Sequence, residues 1–271
     1  MEISQKILNK EYLKSIQYKD ESRLVCRCKY NSFAVPRVHF TEDIINIINK
    51  SAAKRVLDIG CGNGELLIKL RKSGFLGELF GIDIAGGILR HAEEKNAREK
   101  LGIHFEVGAA ESLDFPNDYF DVIIAKHVLH YLTKVQTGVD EASRCLKKGG
   151  VFLIVLNSEK NKPLLHKCDM FICKKYGLTT SHGQQVVNVE NIRLCLIGFS
   201  VTKVILRKSK INKPRLFVKY FATFEGNYEP LPTKMVWKTI LRDVRIFVKN
   251  EIKLKGKFVE TCRVGLIVAT K

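Results

Sequence analysis

The residues with the clearest chemistry are Asp58-Ile59-Gly60-Cys61-Gly62-Asn63-Gly64, between an apolar run (55–59) and a helical pattern (65–72). Glycines at 60, 62 and 64 let the backbone turn sharply and approach a ligand, where a Cβ would fill the space. A nicotinamide dinucleotide site wants its third glycine at position 65, with the pyrophosphate resting on a helix N-terminus. Position 65 is Glu65, whose charge opposes that anion. The glycine comes one residue early and Asp58 precedes the turn, which suits a ligand carrying an ammonium and a sulfonium.

Four more segments follow in order. Phe80-Gly81-Ile82-Asp83 ends in an acid 25 residues beyond Asp58, the span of one strand–helix–strand unit. Gly108-Ala109-Ala110-Glu111 follows a third apolar run. The acidic turn at 115–121 leads into Val122-Ile123-Ile124-Ala125 and then Lys126-His127-Val128-Leu129-His130-Tyr131. Leu146-Lys147-Lys148-Gly149-Gly150 completes the set. Together, over about residues 52–156, these segments resemble the class I S-adenosylmethionine-dependent methyltransferases. The nearest branch is type 11, around ubiquinone and menaquinone biosynthesis.

That resemblance implies S-adenosyl-L-methionine as cofactor, S-adenosyl-L-homocysteine as product, and no metal. Asp58 would orient the cofactor's amino-acid end, partly through water, with Gly60, Cys61, Gly62, Asn63 and Gly64 lining it. Asp83, followed by Ile84, would grip both ribose hydroxyls, a task suited to a carboxylate that accepts two hydrogen bonds at once. A helix N-cap is the plainer reading of Asp83. Ala109, Ala110 and Glu111 would border the adenine, and Lys126 and His127 would touch the cofactor. Ala109 replaces the family's usual Asp, so a backbone carbonyl or Glu111 must substitute as the acceptor for the adenine amino group.

Methyl transfer needs alignment more than covalent help, and alignment can supply several kcal/mol of the barrier. A hydroxyl or protonated amine acceptor also needs a base, and histidine is the usual choice. His130, His127 and Tyr131 follow the fourth strand, at the carboxyl edge where ligands of such sheets bind. His127 is the one placed to touch cofactor; His130 or Tyr131 would reach an acceptor. A packed or capping histidine is the alternative for each. His182 is a lid candidate, and Tyr18, Tyr30 and Phe33 are aromatics that could close over the site.

Positioning these residues requires an α/β fold: a Rossmann-like, doubly wound, seven-stranded sheet, mostly parallel with an antiparallel last strand. Apolar runs place strands at 55–59, 79–82, 104–107, 122–125, 151–156, 199–206 and 261–269. Helical patterns cover 65–72, 86–100, 134–146 and 189–197, and Thr41 reads as the N-cap of another with Glu42 and Asp43 in its first turn. Trp237, Ile240, Leu241, Val244, Phe247 and Val248 form one apolar helix face, which we read as core-facing. Residues 1–50 read as a helical lead-in or cap, including the aromatics Tyr12 and Phe40. Residues 51–271 form the main domain, with cap insertions near 157–188, a long connection, and 208–258.

Net charge is +18, and it is uneven: residues 151–271 carry 23 Lys and Arg against 8 Asp and Glu, and residues 1–150 carry 23 against 20. A basic half favours an anionic partner or is simply a solvated surface. A small-molecule acceptor is the first reading. RNA is the second, because Arg207, Lys208, Lys210, Lys213, Arg215 and Lys219 alternate with Phe217, Tyr220, Phe221 and Phe224. A methyltransferase-like binding subunit is disfavoured by the intact Asp58, glycine turn and Asp83. The eight cysteines form no Cys-x-x-Cys pair, and a zinc site from Cys26, Cys28, Cys168 and Cys173 would have unusual spacing. No apolar run approaches the roughly 20 residues of a membrane span, and Met1–Lys6 lacks a signal's apolar core. The expected location is cytoplasmic, and oligomeric state is left open.

Overall fold

The structure, a computed structural model, describes residues 11, 19–37, 40–181 and 186–271 of the 271-residue chain. Tyr12, Tyr18 and His182 lie outside the described residues. One sheet is built from β1 (Arg55–Ile59), β2 (Glu78–Asp83), β3 (Ile103–Val107), β4 (Phe120–Lys126), β5 (Leu146–Asn157), β6 (Ser200–Ile211) and β7 (Glu260–Thr270). Its order is β3-β2-β1-β4-β5-β7-β6. Strands β1 to β5 pair in parallel, and β7 runs antiparallel to both β5 and β6. The order reverses between β1 and β4, so the crevice beyond their carboxyl ends is the switch point where such sheets take ligands.

Strand side chains alternate between two cores. Val56, Ile124, Leu153 and Val155 face one; Leu57, Ile123, Phe152 and Ile154 face the other. Each large aliphatic side chain buried this way contributes about 1.5–3 kcal/mol. Burial on both faces is why these strands read as continuous apolar runs.

Helices α1 (Ser22–Asn31), α2 (Thr41–Asn49), α3 (Glu65–Lys72), α4 (Gly86–Glu99), α5 (Val135–Cys145), α6 (Pro163–Tyr176), α7 (Pro214–Ala222) and α8 (Lys234–Lys255) surround the sheet. Thr41 is the first residue of α2 rather than its cap, and no side chain caps that end. Side chains of α1, α6, α7 and α8 share the first core. Tyr30 of α1 stacks on Tyr220 of α7 with ring centres 4.4 Å apart, and Phe221 stacks on Trp237 of α8 at 6.0 Å. A two-residue ladder joins Thr179–Thr180 to Tyr228–Glu229. No helix among the described residues is long and apolar enough to cross a membrane.

Two segments differ from the sequence reading. Residues 157–188 contain the 14-residue helix α6 rather than an unbroken connection. Its free N–H groups at Leu164 and Leu165 donate to the Glu260 carboxylate at 3.2 and 2.9 Å, a cap supplied from β7. Residues 189–197 form only a 3-10 turn at Ile192–Cys195 rather than a helix. There the Asn188 carboxamide oxygen accepts from the N–H of Glu190 and Asn191, and Asn191 Oδ1 accepts from the N–H of Asn188. Such local side-chain bonds compete with helix propagation. The strand expected at 199–206 also runs on to Ile211, pairing with β7 throughout.

Candidate cofactor and acceptor site

Strand β1 delivers Asp58 to the carboxyl edge, and the glycine turn follows at once. Gly60 has φ +67°, and a Cβ there would stand 2.5 Å from a methyl of Val128. Gly64 has φ +68°, and its Cβ would meet the Phe105 ring at 2.7 Å. Both positions therefore need glycine on two counts, backbone conformation and space. Gly62 also has positive φ (+56°), and its N–H donates to Asp83 Oδ2 at 2.8 Å. Asp83 Oδ1 accepts from the Ala85 N–H at 2.9 Å, so the acid at the end of β2 is fixed against the turn. It lies half-buried, and desolvation raises its carboxyl above the usual range against the backbone hydrogen bonds.

Asp58 is fully buried and its Oδ1 has no hydrogen-bond partner among the described residues. Burial pushes its carboxyl up to about 7, with Lys126 opposing the shift and Asp83 adding to it. A buried carboxylate oxygen left unpaired is costly unless a cation meets it. The donor set fits the expected cofactor on that count: an orphaned carboxylate oxygen, a cradle a Cβ would fill, and a second carboxylate fixed beside it.

The turn opens into a cavity of about 400 Å³. Gly60, Cys61, Gly62, Asn63, Asp83, Ile84, Ala109, Ala110, Glu111, Lys126, His127, His130 and Tyr131 all line it. Asp58 and Gly64 stand behind that lining. Where the sequence reading expects the adenine, the Ala109 carbonyl accepts from the Ser112 N–H at 3.1 Å. Glu111 Oε1 accepts from the Thr133 hydroxyl at 3.4 Å.

His130 is buried, and its Nδ1 has no hydrogen-bond partner among the described residues. Desolvation, with the nearby Arg27 charge, lowers its pKa to about 4, so the ring is neutral near pH 7. The Tyr131 ring stands 4.2 Å away, centre to centre. His127 is exposed at φ +58°, and its N–H donates to the Val155 carbonyl.

The lining also contains residues that the motifs did not mark. Arg27 and Asn31 come from α1, Lys162 and His166 from the start of α6, and Tyr220 from α7. The i, i+4 spacing of Arg27 and Asn31 puts them on one helix face, a signal with no partner in sequence. Tyr30 packs behind Tyr220 and Phe33 is exposed; neither lines the cavity.

Residues 57–154 match the family profile described as "Methyltransferase domain". An uncharacterized methyltransferase of Bacillus subtilis, YcgJ, is 35% identical over 118 residues, 42% of this chain and 45% of its own. The demethylmenaquinone methyltransferase of Leptospira interrogans is 34% identical over 130 residues, 46% and 51% respectively. The chain spans about half the length of these curated relatives. The crystal structure of YcgJ superposes with TM-score 0.60 at 19% identity, covering 86% of this chain and 98% of that one. Phosphoethanolamine N-methyltransferase 2 of Haemonchus contortus, solved with phosphomonomethylethanolamine and S-adenosylhomocysteine, gives 0.61 at 17%, covering 97% and 59%. The glycine turn and the second-strand acid both lie within residues 57–154, so the stretch that matches the methyltransferase domain is the one that carries this edge of the cavity.

Proposed function

We propose that the protein is an S-adenosylmethionine-dependent methyltransferase that methylates an O or N atom of a small-molecule metabolite. The observation that carries this reading is one cavity lined both by the glycine turn and Asp83 and by the polar side chains Arg27, Asn31, Lys162, His166 and Tyr220. Its volume falls within the roughly 300–1,000 Å³ usual for small-molecule sites. When bound, the cofactor supplies a methyl group already activated on a sulfonium. Asp83 accepts from the ribose hydroxyls, Asp58 offers its unpaired oxygen to the amino-acid end, and the glycines admit both by lacking side chains. Helices α1, α6 and α7 act as the cap that excludes water. His130, neutral above about pH 4, accepts the proton of a hydroxyl or ammonium acceptor, with Tyr131 beside it.

Two acceptor chemistries appear among the likenesses. The ubiquinone/menaquinone relatives are named C-methyltransferases, and a lipid quinone ring wants an apolar slot. This cavity sets Asn31, Asn157, Asn188 and Asn227 beside Leu24, Val128, Leu132, Leu165 and Phe224; the buried cations Lys162 and Arg27 in the same lining favour a polar acceptor. The Haemonchus neighbour, of like fold, holds a polar phosphorylated amine. The RNA alternative loses the aromatic half of its support, because Phe217, Tyr220, Phe221 and Phe224 are buried and cannot stack bases. Arg207, from the same run, is engaged by Asp43 at 2.7 Å.

Calorimetry with S-adenosylhomocysteine tests the cofactor half: Asp83→Ala should weaken binding at least tenfold, and unchanged affinity would discredit the ribose role. Incubating the protein with a methyl-labelled donor and cell extract tests the acceptor half. Label should enter the small-molecule fraction; label confined to RNA would overturn the acceptor assignment.

A further inference from the structure

Lys162 is an unusual charge among the described residues. It is nine-tenths buried, lines the cavity, and occupies a left-handed backbone position (φ +52°) just ahead of Pro163. Its Nζ donates to Asn31 Oδ1 at 2.9 Å and to the Tyr220 hydroxyl at 2.6 Å, both neutral groups. The same nitrogen sits 4.4 Å from the centre of the Tyr220 ring. No carboxylate lies within ion-pair distance of it among the described residues. The acid whose charge it feels most directly, Glu260, turns its oxygens to the N–H groups of Leu164, Leu165 and Thr261. Glu159 also lines the cavity but is exposed, Glu65 opens α3, and Glu111 lies in the loop after β3.

An ammonium has three N–H donors, and two are committed here. Desolvation opposes this charge, but Tyr220, Cys262 and Glu260 outweigh it and keep the ammonium positive, so the cavity lining holds a cation with one N–H left to donate. Arg27 adds a second cation to the same lining. Its guanidinium is nine-tenths buried and is held by the hydroxyl and carbonyl oxygens of Thr223 at 3.0 Å each. Both cations border Tyr220, and Arg27 is also close enough to His130 to depress its protonation. Positive charge is therefore built into the cavity lining near His130 and held there by polar groups of α1 and of the C-terminal part of α7.

We propose that Lys162, supported by Arg27, binds an oxyanion carried by the methyl acceptor, a phosphomonoester or a carboxylate, and so sets which small molecules enter. This rests on the methyltransferase reading above, and names the substrate class for that same cavity. The anion would sit against Lys162, Asn31 and Tyr220 while the nucleophilic atom extends toward His130. Guanidinium and ammonium groups both make short, charge-assisted bonds to such oxygens.

The test uses full-length protein saturated with S-adenosylhomocysteine, titrated with inorganic phosphate, with acetate, and with chloride at matched ionic strength. Melting temperature and calorimetry are the readouts. Phosphate or acetate should stabilise the protein where chloride does not, and the stronger of the two identifies the oxyanion. Lys162→Met, which keeps the stem and removes the charge, should weaken that binding at least tenfold while leaving S-adenosylhomocysteine affinity within twofold. Equal oxyanion binding by Lys162→Met would overturn the proposal, since a basic surface would then explain it. No oxyanion binding by the wild-type complex would overturn it too, with the methyltransferase reading intact. Failure of S-adenosylhomocysteine to bind wild-type protein would instead strike the underlying reading, and the proposal with it.

Discussion

Replacing Asp58 by Asn keeps the shape of the side chain and removes its charge, so it isolates the consequence of holding an unpaired carboxylate behind the glycine turn. The carboxyl has an ordinary value of 3.8 and about 7 in the fold, where it is fully buried. At 1.36 kcal/mol per pKa unit, the charged form opposes folding by about 4 kcal/mol. Because the folded value lies above the unfolded one, this penalty is absent below about pH 4, grows up to about pH 7, and is complete above that. The ligand-free Asp58→Asn protein should thus be more stable than wild type by about 4 kcal/mol at pH 8 and by about 2 kcal/mol at pH 5. With about 2.1 cal/mol/K of unfolding entropy per residue, 271 residues give about 0.57 kcal/mol/K. The expected gain in Tm at pH 8 is therefore about 7 °C. Thermal denaturation at the two pH values measures it, and calorimetry should show the same variant binding S-adenosylhomocysteine more weakly. An Asn variant whose Tm advantage is the same at pH 5 and pH 8, or absent at pH 8, would refute the reasoning: the carboxylate would then be adequately paired in the empty fold.

Gly60→Ala should cost about 2–4 kcal/mol, combining left-handed strain with overlap onto Val128. Adding Val128→Ala should restore part of the lost Tm, and no recovery would show that the overlap is not the cause. His130→Gln should lower kcat with S-adenosylhomocysteine affinity unchanged, and a fully active variant would remove its role as base. The wild-type kcat profile should carry its acidic limb near pH 4 rather than 6.5, matching the depressed ring. The same depression means the protonated ring opposes folding, so wild-type stability should fall as pH drops from about 6.5 toward 4, a fall His130→Gln should reduce. Glu260→Ala strips the N–H groups of Leu164 and Leu165 of their acceptor and should cost about 1–3 kcal/mol. Hydrogen exchange should localise the loss to the first turn of α6, and uniform protection there would count against the capping role.

The local chemistry of the first half of the chain was legible because it depends on near neighbours in sequence. Glycines 60, 62 and 64 are needed for the turn they themselves make, and strands buried on both faces show as apolar runs at 55–59, 122–125 and 151–156. The placement of Asp83 follows from the length of one strand–helix–strand unit. What the tertiary structure alone decided depends on partners far apart in the chain. Helix α6 begins at Pro163 because a carboxylate almost 100 residues later caps it. Phe217 and Phe221 alternate with basic residues as though exposed, yet fall inside when α7 packs on α1 and α8. Lys162 and Asn31 are 131 positions apart, and only the folding of α1 and α6 over the carboxyl edge of the sheet turns them into one side of a cavity. Turn geometry is set by the residues in the turn, whereas burial, pairing and pKa are set by whatever the fold brings alongside.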